Sequence, residues 1–496
     1  MWEKTLAPGL VYREEVDRAT PRVTHVLRIT PGSPALRLGA EPTGGAINEA
    51  ASAPPGRTPI GVAAAKLGAL AAVNGDYFVD SPKGWNGQPL GLLVRAGELL
   101  ATPNPKRSVF AWGPGTFAFG RAEWSGAVRS EGRPTVRLSG LNRAAGPNEA
   151  VLNTSAAGQA FAADGDLSIA LSVDGAIGPS GTVGAKVEAV TPEASVATVA
   201  PGRAVLVARG TKALAFRGLK PGDRVAIELK TSGFDWERID SAVGGGPMLV
   251  QDGEASVGEE GFPAQAFVAA RHPRTAVGRT KEGDIVLVAV DGRSAVSAGA
   301  SLAEMAGIMR GLGCVEAMNL DGGGSTTMAA VGITVNRPSD GRERPVADAV
   351  LVRGTSPAPA FGPLRLVVPA TVRAGETVDA RVVDAKGRTV PNARVLWAAS
   401  GALWMDQGGR LTVLASGTGL VQAAVDGQVL SAKVGVSRTP STWEATPVEE
   451  RTSLRRPPRR TLPRFPLRSC LAPRGTISGN LPSCVPSSPA SGRFGT

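Results

Sequence analysis

Short apolar runs alternate with turn residues along almost the whole chain. Examples are the runs at 204–207 and 224–229, which are separated by the turn sequence Gly-Leu-Lys-Pro-Gly-Asp at 218–223. Apolar, Val-rich runs of this length, bounded by Gly, Pro and Asp, are typical of strands. Gly (64) and Pro (39) are abundant and aromatic residues make up only 4% of the chain, which also disfavours long helices. We therefore expect a largely β composition.

One segment predicts a strand, a helix and a second strand in succession. Residues 284–290 form a nearly continuous apolar run, as in a strand buried on both faces. Ser301 and Glu304 match a capping box at a helix start, and residues 314–320 are apolar again. The apolar helix face between them comprises Leu302, Met305, Ala306 and Met309. Because a strand–helix–strand order usually makes the two strands parallel, we expect a parallel βαβ unit in an α+β or mixed α/β catalytic domain.

Changes in composition divide the chain. Residues 1–355 form the expected catalytic domain, with a β-rich middle section at about 121–235, and 356–361 form a stiff Pro/Ala linker. Regular turn signals predict a small β-sandwich at 362–437, which resembles bacterial Ig-like domains at 384–387 and 415–419. Residues 438–496 are rich in Pro, Ser and Arg, and we expect them to be a disordered basic tail.

The net charge of +11 belongs mainly to this tail. Residues 437–496 carry 10 Lys and Arg against 3 Asp and Glu, whereas the other 436 residues carry 44 against 40. We therefore expect no nucleic-acid partner. No apolar run reaches the 18 residues of a transmembrane helix, and the first residues lack the apolar region of a signal peptide.

Metal and thiol chemistry have little support in the sequence. Cys314 lies in an apolar run and is expected to be buried, while Cys470 and Cys484 lie in the tail. The chain has no Cys/His cluster of the zinc-binding type. Asp-rich loops can hold Ca²⁺, but no EF-hand-like spacing is present, so we expect no required cofactor.

Two Asp-Gly sequences follow the predicted strands. Asp291 and Asp321 would lie at the same carboxyl edge of a parallel pair, where ligands of open sheets bind, although Asp291 could instead close a turn. Three glycines after Asp321 allow backbone N–H groups to approach a ligand, and Ser325 and Thr326 add hydroxyl groups. The loop is not a P-loop, because no Lys follows its glycines, and Thr327 replaces the last Gly of a nucleophile elbow.

Five motifs then occur in the order of the phosphodiester glycosidase family, which the chain resembles over about residues 5–355. They lie at 74–78, 244–250, 272–278, 290–293 and 319–326. The resemblance implies hydrolysis of a sugar that is joined through its anomeric carbon to a phosphodiester. It also implies an exported or cell-envelope protein, although no signal peptide is visible. Asp76 departs from the Gly that the family often has at that position.

The reaction suggests roles for individual residues. A carboxylate is needed near the anomeric carbon, and a cation is needed beside the departing phosphate. We expect Asp321 to be that carboxylate, with Asp76 or Asp291 as its partner, and Arg274 with His272 to lie beside the phosphate. The expected substrate-binding residues are Asn74, Gly245, Gly246, Asn319, Gly323, Gly324, Ser325 and Thr326.

Two other functions fit the same residues less well. One is a non-catalytic envelope protein that binds a phosphosugar polymer or a polysaccharide with the help of the Ig-like region. The other is a serine hydrolase that uses Ser325 and His272. The expected partner is therefore a carbohydrate phosphodiester or a cell-envelope polymer.

Overall fold

The computed structural model describes residues 1–33, 36–47, 56–80, 87–258, 260–262, 268–355 and 360–437. The expected tail at 438–496 and residues 356–359 of the expected linker lie outside these residues. In the described part of the chain, no helix is both long enough and apolar enough to cross a membrane.

Three sheets surround the candidate site. The central sheet has eight antiparallel strands, in the order Trp2–Ala7, Leu10–Asp17, Arg22–Ile29, Ile285–Val290, Arg274–Thr280, Cys314–Asn319, Met248–Gln251 and Glu254–Ala255. The flanking sheet has five, in the order Ile333–Thr334, Met328–Ala330, Ala69–Asn74, Asp348–Gly354 and Leu36–Pro42. The third sheet has the order Glu98–Ala101, Leu93–Arg95, Ser241–Gly244, Ser108–Gly113 and Thr116–Arg121.

The β-rich middle section forms another eight-stranded sheet. Its order is Val136–Leu138, Trp124–Ser130, Arg224–Thr231, Gly181–Thr191, Leu167–Val173, Arg203–Ala208, Ala150–Thr154 and Gly140–Leu141. A separate two-stranded ribbon pairs Gln159–Ala162 with Ser195–Thr198.

Residues 364–437, which we call the C-terminal sheets, form three small sheets around an apolar core that contains the buried Trp397. The first sheet pairs Leu364–Val367 with Arg381–Asp384. The second has four strands, in the order Thr371–Arg373, Gln428–Ser437, Gly417–Val425 and Leu396–Gly401. The third has three, in the order Val378–Asp379, Arg410–Val413 and Leu403–Met405.

Helices are short and few in the described residues. The α-helices are Ile60–Lys66, Thr211–Ala215 and Leu302–Gly311, and the 3-10 helices are Ser155–Ala157, Gly323–Ser325 and Asn392–Arg394. The longest α-helix packs on the central sheet at Gly278, where an added Cβ would lie 2.7 Å from the Cys314 sulfur and 2.8 Å from the Met309 Cε. Cys314 is buried, as the sequence predicted.

The expectation of a mixed α/β domain with a parallel βαβ unit is wrong, because the described structure is mostly β. Ile285–Val290 and Cys314–Asn319 are not neighbours: Arg274–Thr280 lies between them and is antiparallel to both. The tight turn at 281–284 folds Ile285–Val290 back onto Arg274–Thr280 as a hairpin, so the neighbouring position is already filled. The two outer strands still run in the same direction, so Asp291 and Asp321 follow strand ends at one edge of the sheet.

The predicted capping box is confirmed. The Ser301 hydroxyl accepts from the Glu304 amide at 3.1 Å, and the Glu304 carboxylate accepts from the Ser301 amide at 2.9 Å. These bonds satisfy two amides that have no partner within the helix.

Replacing the cap should therefore destabilise the protein. We expect Ser301→Ala to lower the free energy of unfolding by about 1 kcal/mol, measured by urea denaturation. Ser431→Ala, on an exposed position of a C-terminal strand, is the matched control and should change little. Equal stability of the two variants would contradict the assigned role of the cap.

Candidate functional site

Asn74 joins the flanking sheet to the central sheet. Its side-chain amide donates to the Asp321 carbonyl at 2.7 Å, and its side-chain oxygen accepts from the Thr275 hydroxyl at 2.8 Å and from the Thr327 amide at 3.1 Å. Asn74 is only 1% exposed. The predicted ligand-binding side chain is thus engaged in fixing the loop that carries Asp321.

Three carboxyl groups gather beside this junction. Asp348, at the start of its strand, is fully buried, and its Oδ1 accepts from the Asp76 amide at 2.7 Å. The Asp76 Oδ1 accepts from the Tyr77 amide at 2.7 Å. Gly91 packs against the other carboxylate oxygen of Asp76, since a Cβ added to Gly91 would lie 2.6 Å from Oδ2. Asp321 accepts from the Gly322 amide at 2.8 Å. Asp76 and Asp321, which the sequence proposed as partners, are close enough for the charge of Asp321 to raise the pKa of Asp76.

Burial makes these carboxyl groups weaker acids than usual. It raises the pKa of Asp321 to about 6, although the nearby Ser325 hydroxyl and the hydrogen bond from the Gly322 amide oppose the rise. Burial also raises the pKa of Asp76, against the attraction of the Arg107 guanidinium. Burial and then the nearby Asp76 raise the pKa of Asp348 well above its usual range. At neutral pH, Asp321 is therefore mainly ionised, while Asp348 keeps its proton to a higher pH than an ordinary aspartic acid does.

Arg107 is held between two aromatic rings on one side of the carboxyl groups. Its guanidinium carbon lies 5.0 Å from the centre of the Tyr77 ring and 4.6 Å from that of Phe262. The Tyr77 hydroxyl donates to the Gly246 carbonyl at 3.1 Å and accepts from the Asn319 side chain at 2.7 Å. These contacts fix a cation close to Asp76 and Asp321.

A second group of cations surrounds Asp321 in a cavity of about 220 Å³. The cavity is lined by His272, Arg274, Arg293, Asp321, Gly322, Gly323, Gly324 and Arg344.

Arg274 is buried and donates to the carbonyls of Ala300 at 3.0 Å and Ala270 at 3.1 Å. Arg344 donates twice to the Asp340 carboxylate, at 2.7 and 3.0 Å. Arg293 lies 3.3 Å from His272 Nδ1. Such a concentration of positive charge suits an anion.

The basic side chains of the cavity also lower each other's pKa values. Burial lowers the pKa of His272, and the charges of Arg274 and Arg293 lower it further. Burial and the charge of Arg293 likewise lower the pKa of Arg274, against the influence of Tyr77. His272 is therefore mainly neutral at neutral pH, and its ring can share a hydrogen bond with Arg293.

The glycine-rich loop lets the cations approach the backbone. Gly323 has φ +62, and an added Cβ would lie 3.1 Å from an Arg293 nitrogen. A Cβ at Gly324 would collide with the Arg344 guanidinium and the Asp340 carboxylate. Ser325 and Thr326 follow in the loop and are both buried. Gly323 and Gly324 therefore allow close packing of charged side chains against this turn.

Other predicted binding residues serve the packing of neighbouring strands. An added Cβ on Gly245 would lie 2.7 Å from the Asn319 carbonyl, and the Gly246 amide donates to that carbonyl at 2.7 Å. The Asn319 side chain donates to Tyr77, to the Gly246 carbonyl and to the Leu320 carbonyl. Gly246 and Asn319 thus hold the Tyr77 hydroxyl in place, and Gly245 packs against the Asn319 carbonyl.

Asp291 does not line the cavity. One of its oxygens is 3.3 Å from His25 Nε2, and the other accepts from the Arg337 amide at 2.8 Å. The shared sheet edge therefore places Asp291 near the site, while its side chain faces a separate buried cluster. Asp76 is the nearer carboxyl partner for Asp321.

Sequence reasoning missed four charged residues of this region. They are Arg107, Arg293, Arg344 and Asp348. Arg293 lies within one of the family motifs, and Asp348 is a lone acid at the start of an apolar run, so both left a signal in the sequence. Arg107 and Arg344 lie in turn-rich segments with no distinguishing pattern. Among the described residues, no group of three His, Cys, Asp or Glu side chains is arranged to hold a metal ion.

The phosphodiester glycosidase family profile matches residues 180–353, which include Arg274, Arg293, Asp321 and Arg344. This part of the chain matches a phosphodiester glycosidase domain. The resemblance seen in the motifs is thus confirmed.

Curated relatives match only in part. SPbeta prophage-derived protein YomE of Bacillus subtilis is 36% identical over 107 residues, which cover 22% of this chain and 16% of that protein. Mouse N-acetylglucosamine-1-phosphodiester alpha-N-acetylglucosaminidase is 43% identical over 74 residues, or 15% of this chain and 14% of the enzyme. The chain therefore spans less than a fifth of the length of these relatives.

Two solved structures share the fold. A hypothetical protein from Synechocystis has a TM-score of 0.57 and 24% identity, with 70% of this chain and 62% of that chain covered. A Burkholderia pseudomallei protein that is thought to be exported has a TM-score of 0.53 and 24% identity, with 67% and 74% covered.

The pKa of Asp321 can be measured directly. In protein labelled with ¹³C at the Asp carboxyl carbons, we expect a resonance that titrates near pH 6 and is lost in Asp321→Asn. Asp174→Asn, at an exposed ion pair with Arg224, should leave that resonance in place. If the signal lost in Asp321→Asn titrates near pH 4, the described environment of Asp321 is wrong.

Proposed function

We propose that this protein hydrolyses the glycosidic bond of a sugar-1-phosphodiester and releases a free sugar and a phosphomonoester. The observation that carries the proposal is the cavity in which Asp321 lies among Arg274, Arg293, Arg344 and His272. It lies in the region of the chain that matches a phosphodiester glycosidase domain.

The charge change of this reaction fits the cavity. When the bond between the anomeric carbon and the phosphate oxygen breaks, its electron pair stays on the phosphate. The phosphate therefore gains a second negative charge as the sugar gains positive charge. Three arginines stabilise that additional charge more strongly than the single charge of the substrate, which lowers the barrier.

The carboxyl groups serve the sugar side of the same bond. Asp321, ionised above about pH 6, stabilises the positive charge at the anomeric carbon. Water adds to that carbon and its proton passes to a carboxylate, for which Asp76 is the nearby second group. Because the phosphomonoester is already a good leaving group, strong general-acid catalysis is not needed.

Export is part of this proposal. The family resemblance favours an extracellular or cell-envelope site of action, and the Burkholderia protein of the same fold is thought to be exported. A carbohydrate phosphodiester of the cell envelope would then be an accessible substrate.

The function is tested with a panel of α-sugar-1-phosphodiesters that carry different sugars. We expect release of reducing sugar, and a fall in kcat on the order of 10³-fold in Asp321→Asn. Asp174→Asn is the control and should retain wild-type rates. Tight binding of the panel without any turnover would contradict the proposal and favour a non-catalytic binding protein.

The charge of Arg107 should affect how kcat/KM depends on pH. Because its charge lowers the pKa of both Asp76 and Asp321, Arg107→Met should raise these pKa values. The fall of kcat/KM on the acidic side should then begin at a higher pH than in the wild type. Arg129→Met, which removes an exposed partner of Glu228, is the matched control. An unchanged profile, or a shift to lower pH, would contradict the electrostatic role of Arg107.

A further inference from the structure

The Asp291 carboxylate is a buried junction between loops that carry cavity residues. Its Oδ1 accepts from the Arg337 amide at 2.8 Å and from the Asn336 side chain at 3.3 Å. Its backbone carbonyl accepts from the Ser297 hydroxyl, which in turn accepts from the Val23 amide at 3.1 Å. Asp291 is 1% exposed.

Three loops depend on these bonds. Arg293, which lines the cavity, lies two residues after Asp291 in a turn with φ +58. The Asn336 side chain donates to the Thr326 carbonyl at 3.1 Å and accepts from the Met328 amide at 2.7 Å, which fixes the end of the Asp321 loop. Arg337 begins the segment that leads to Arg344. One carboxylate thus holds the bases of the loops that present Arg293, Asp321 and Arg344.

A buried histidine is a side-chain partner of this carboxylate. His25 Nε2 lies 3.3 Å from Asp291 Oδ2, and Nδ1 lies 2.8 Å from the Tyr12 hydroxyl. Burial opposes a charge on His25, but the Asp291 carboxylate and Glu14 outweigh it and raise the pKa of the imidazole. An unpaired buried carboxylate would be costly, so the His25 contact allows Asp291 to stay where the loops meet.

The same network reaches the C-terminal sheets. Arg337 donates to the carbonyls of Leu403 and Gly401, both at 2.7 Å. The Glu14 carboxyl accepts from the Gln407 amide at 3.2 Å, and Lys4 donates to the Gln407 carbonyl at 2.8 Å. The C-terminal sheets therefore contact both the Arg337 side chain and the strand that carries Glu14.

We propose that Asp291 is a positioning residue and that the C-terminal sheets are a structural part of the candidate site. They hold the backbone of Arg337 against Asp291, and Asp291 with Asn336 holds the Asp321 loop against the arginines. This role differs from that of an appended polymer-binding module. Only the activity measurement below rests on the proposed function.

The test compares two buried asparagines in the full-length protein. Asn336→Ala removes the bridge from Asp291 to Thr326 and Met328. Asn142→Ala is the matched control, because the buried Asn142 amide also bonds to main-chain and hydroxyl groups, at Leu100 and Thr154, but in a different sheet. The measurements are the affinity for inorganic phosphate, by calorimetry, the ¹³C titration of Asp321, and kcat on a sugar-1-phosphodiester.

A second pair of variants covers the case in which Asn336→Ala does not fold. Arg337→Met removes both bonds to the C-terminal sheets and keeps the Arg337 amide. Arg394→Met is its control, because it breaks an ion pair with Asp426 inside the C-terminal sheets. We expect Asn336→Ala and Arg337→Met to shift the Asp321 midpoint and to weaken phosphate binding, by about tenfold for Asn336→Ala.

The outcomes separate the two proposals. Unchanged phosphate affinity and Asp321 titration in Asn336→Ala and Arg337→Met would overturn the positioning role. Equal changes in the two control variants would also overturn it, because the effect would then be general destabilisation. If the wild type turns over no sugar-1-phosphodiester, the proposed function fails, while phosphate affinity and the Asp321 titration still decide the positioning role.

Discussion

The Asn74 side chain is the contact on which the geometry of the site depends. It ends a strand of the flanking sheet, and its three hydrogen bonds reach Asp321, Thr275 and Thr327. A buried donor or acceptor that loses its partner costs about 1–3 kcal/mol, so these bonds strongly favour one relative placement of the two sheets. The Asp321 loop contains three glycines and has little conformational preference of its own. Its position is therefore determined by Asn74 at one end and by Asn336 at the other.

Burying acidic groups at this junction has an electrostatic consequence. Asp76, Asp321 and Asp348 each lose hydration, and each pKa rises for that reason. The fold offsets the cost unequally: the nearby Asp76 raises the pKa of Asp348 further, whereas Asp321 accepts a hydrogen bond from the Gly322 amide and lies near the cations Arg344 and Arg107. Of these three carboxyl groups, Asp321 is the one that lines the cavity. A site with several protonation states available near neutral pH suits proton transfer.

Local signals in the sequence predicted local structure well. The capping box of Ser301 and Glu304 and the buried Cys314 are where the pattern placed them. The parallel strand pair was wrong because a hairpin partner fills the neighbouring position, and single-strand patterns contain no information about pairing. Arg107 and Arg344 reach Asp321 from segments about 214 residues before it and 23 residues after it. No spacing rule connects such residues, since only the assembled sheets bring them together.

The hydrogen bonds that orient the cavity arginines affect catalysis as well as binding. Arg274 is fixed by two backbone carbonyls, and Arg344 is fixed by the Asp340 carboxylate. Groups that are already oriented need not reorganise when charge develops on a phosphate oxygen, so they stabilise the transition state at little additional cost. Flexible surface cations would bind the substrate and the transition state about equally, which would increase affinity without increasing the rate. The fixed orientation of the buried Arg274 therefore fits the proposed hydrolase better than a protein that only binds an anionic polymer.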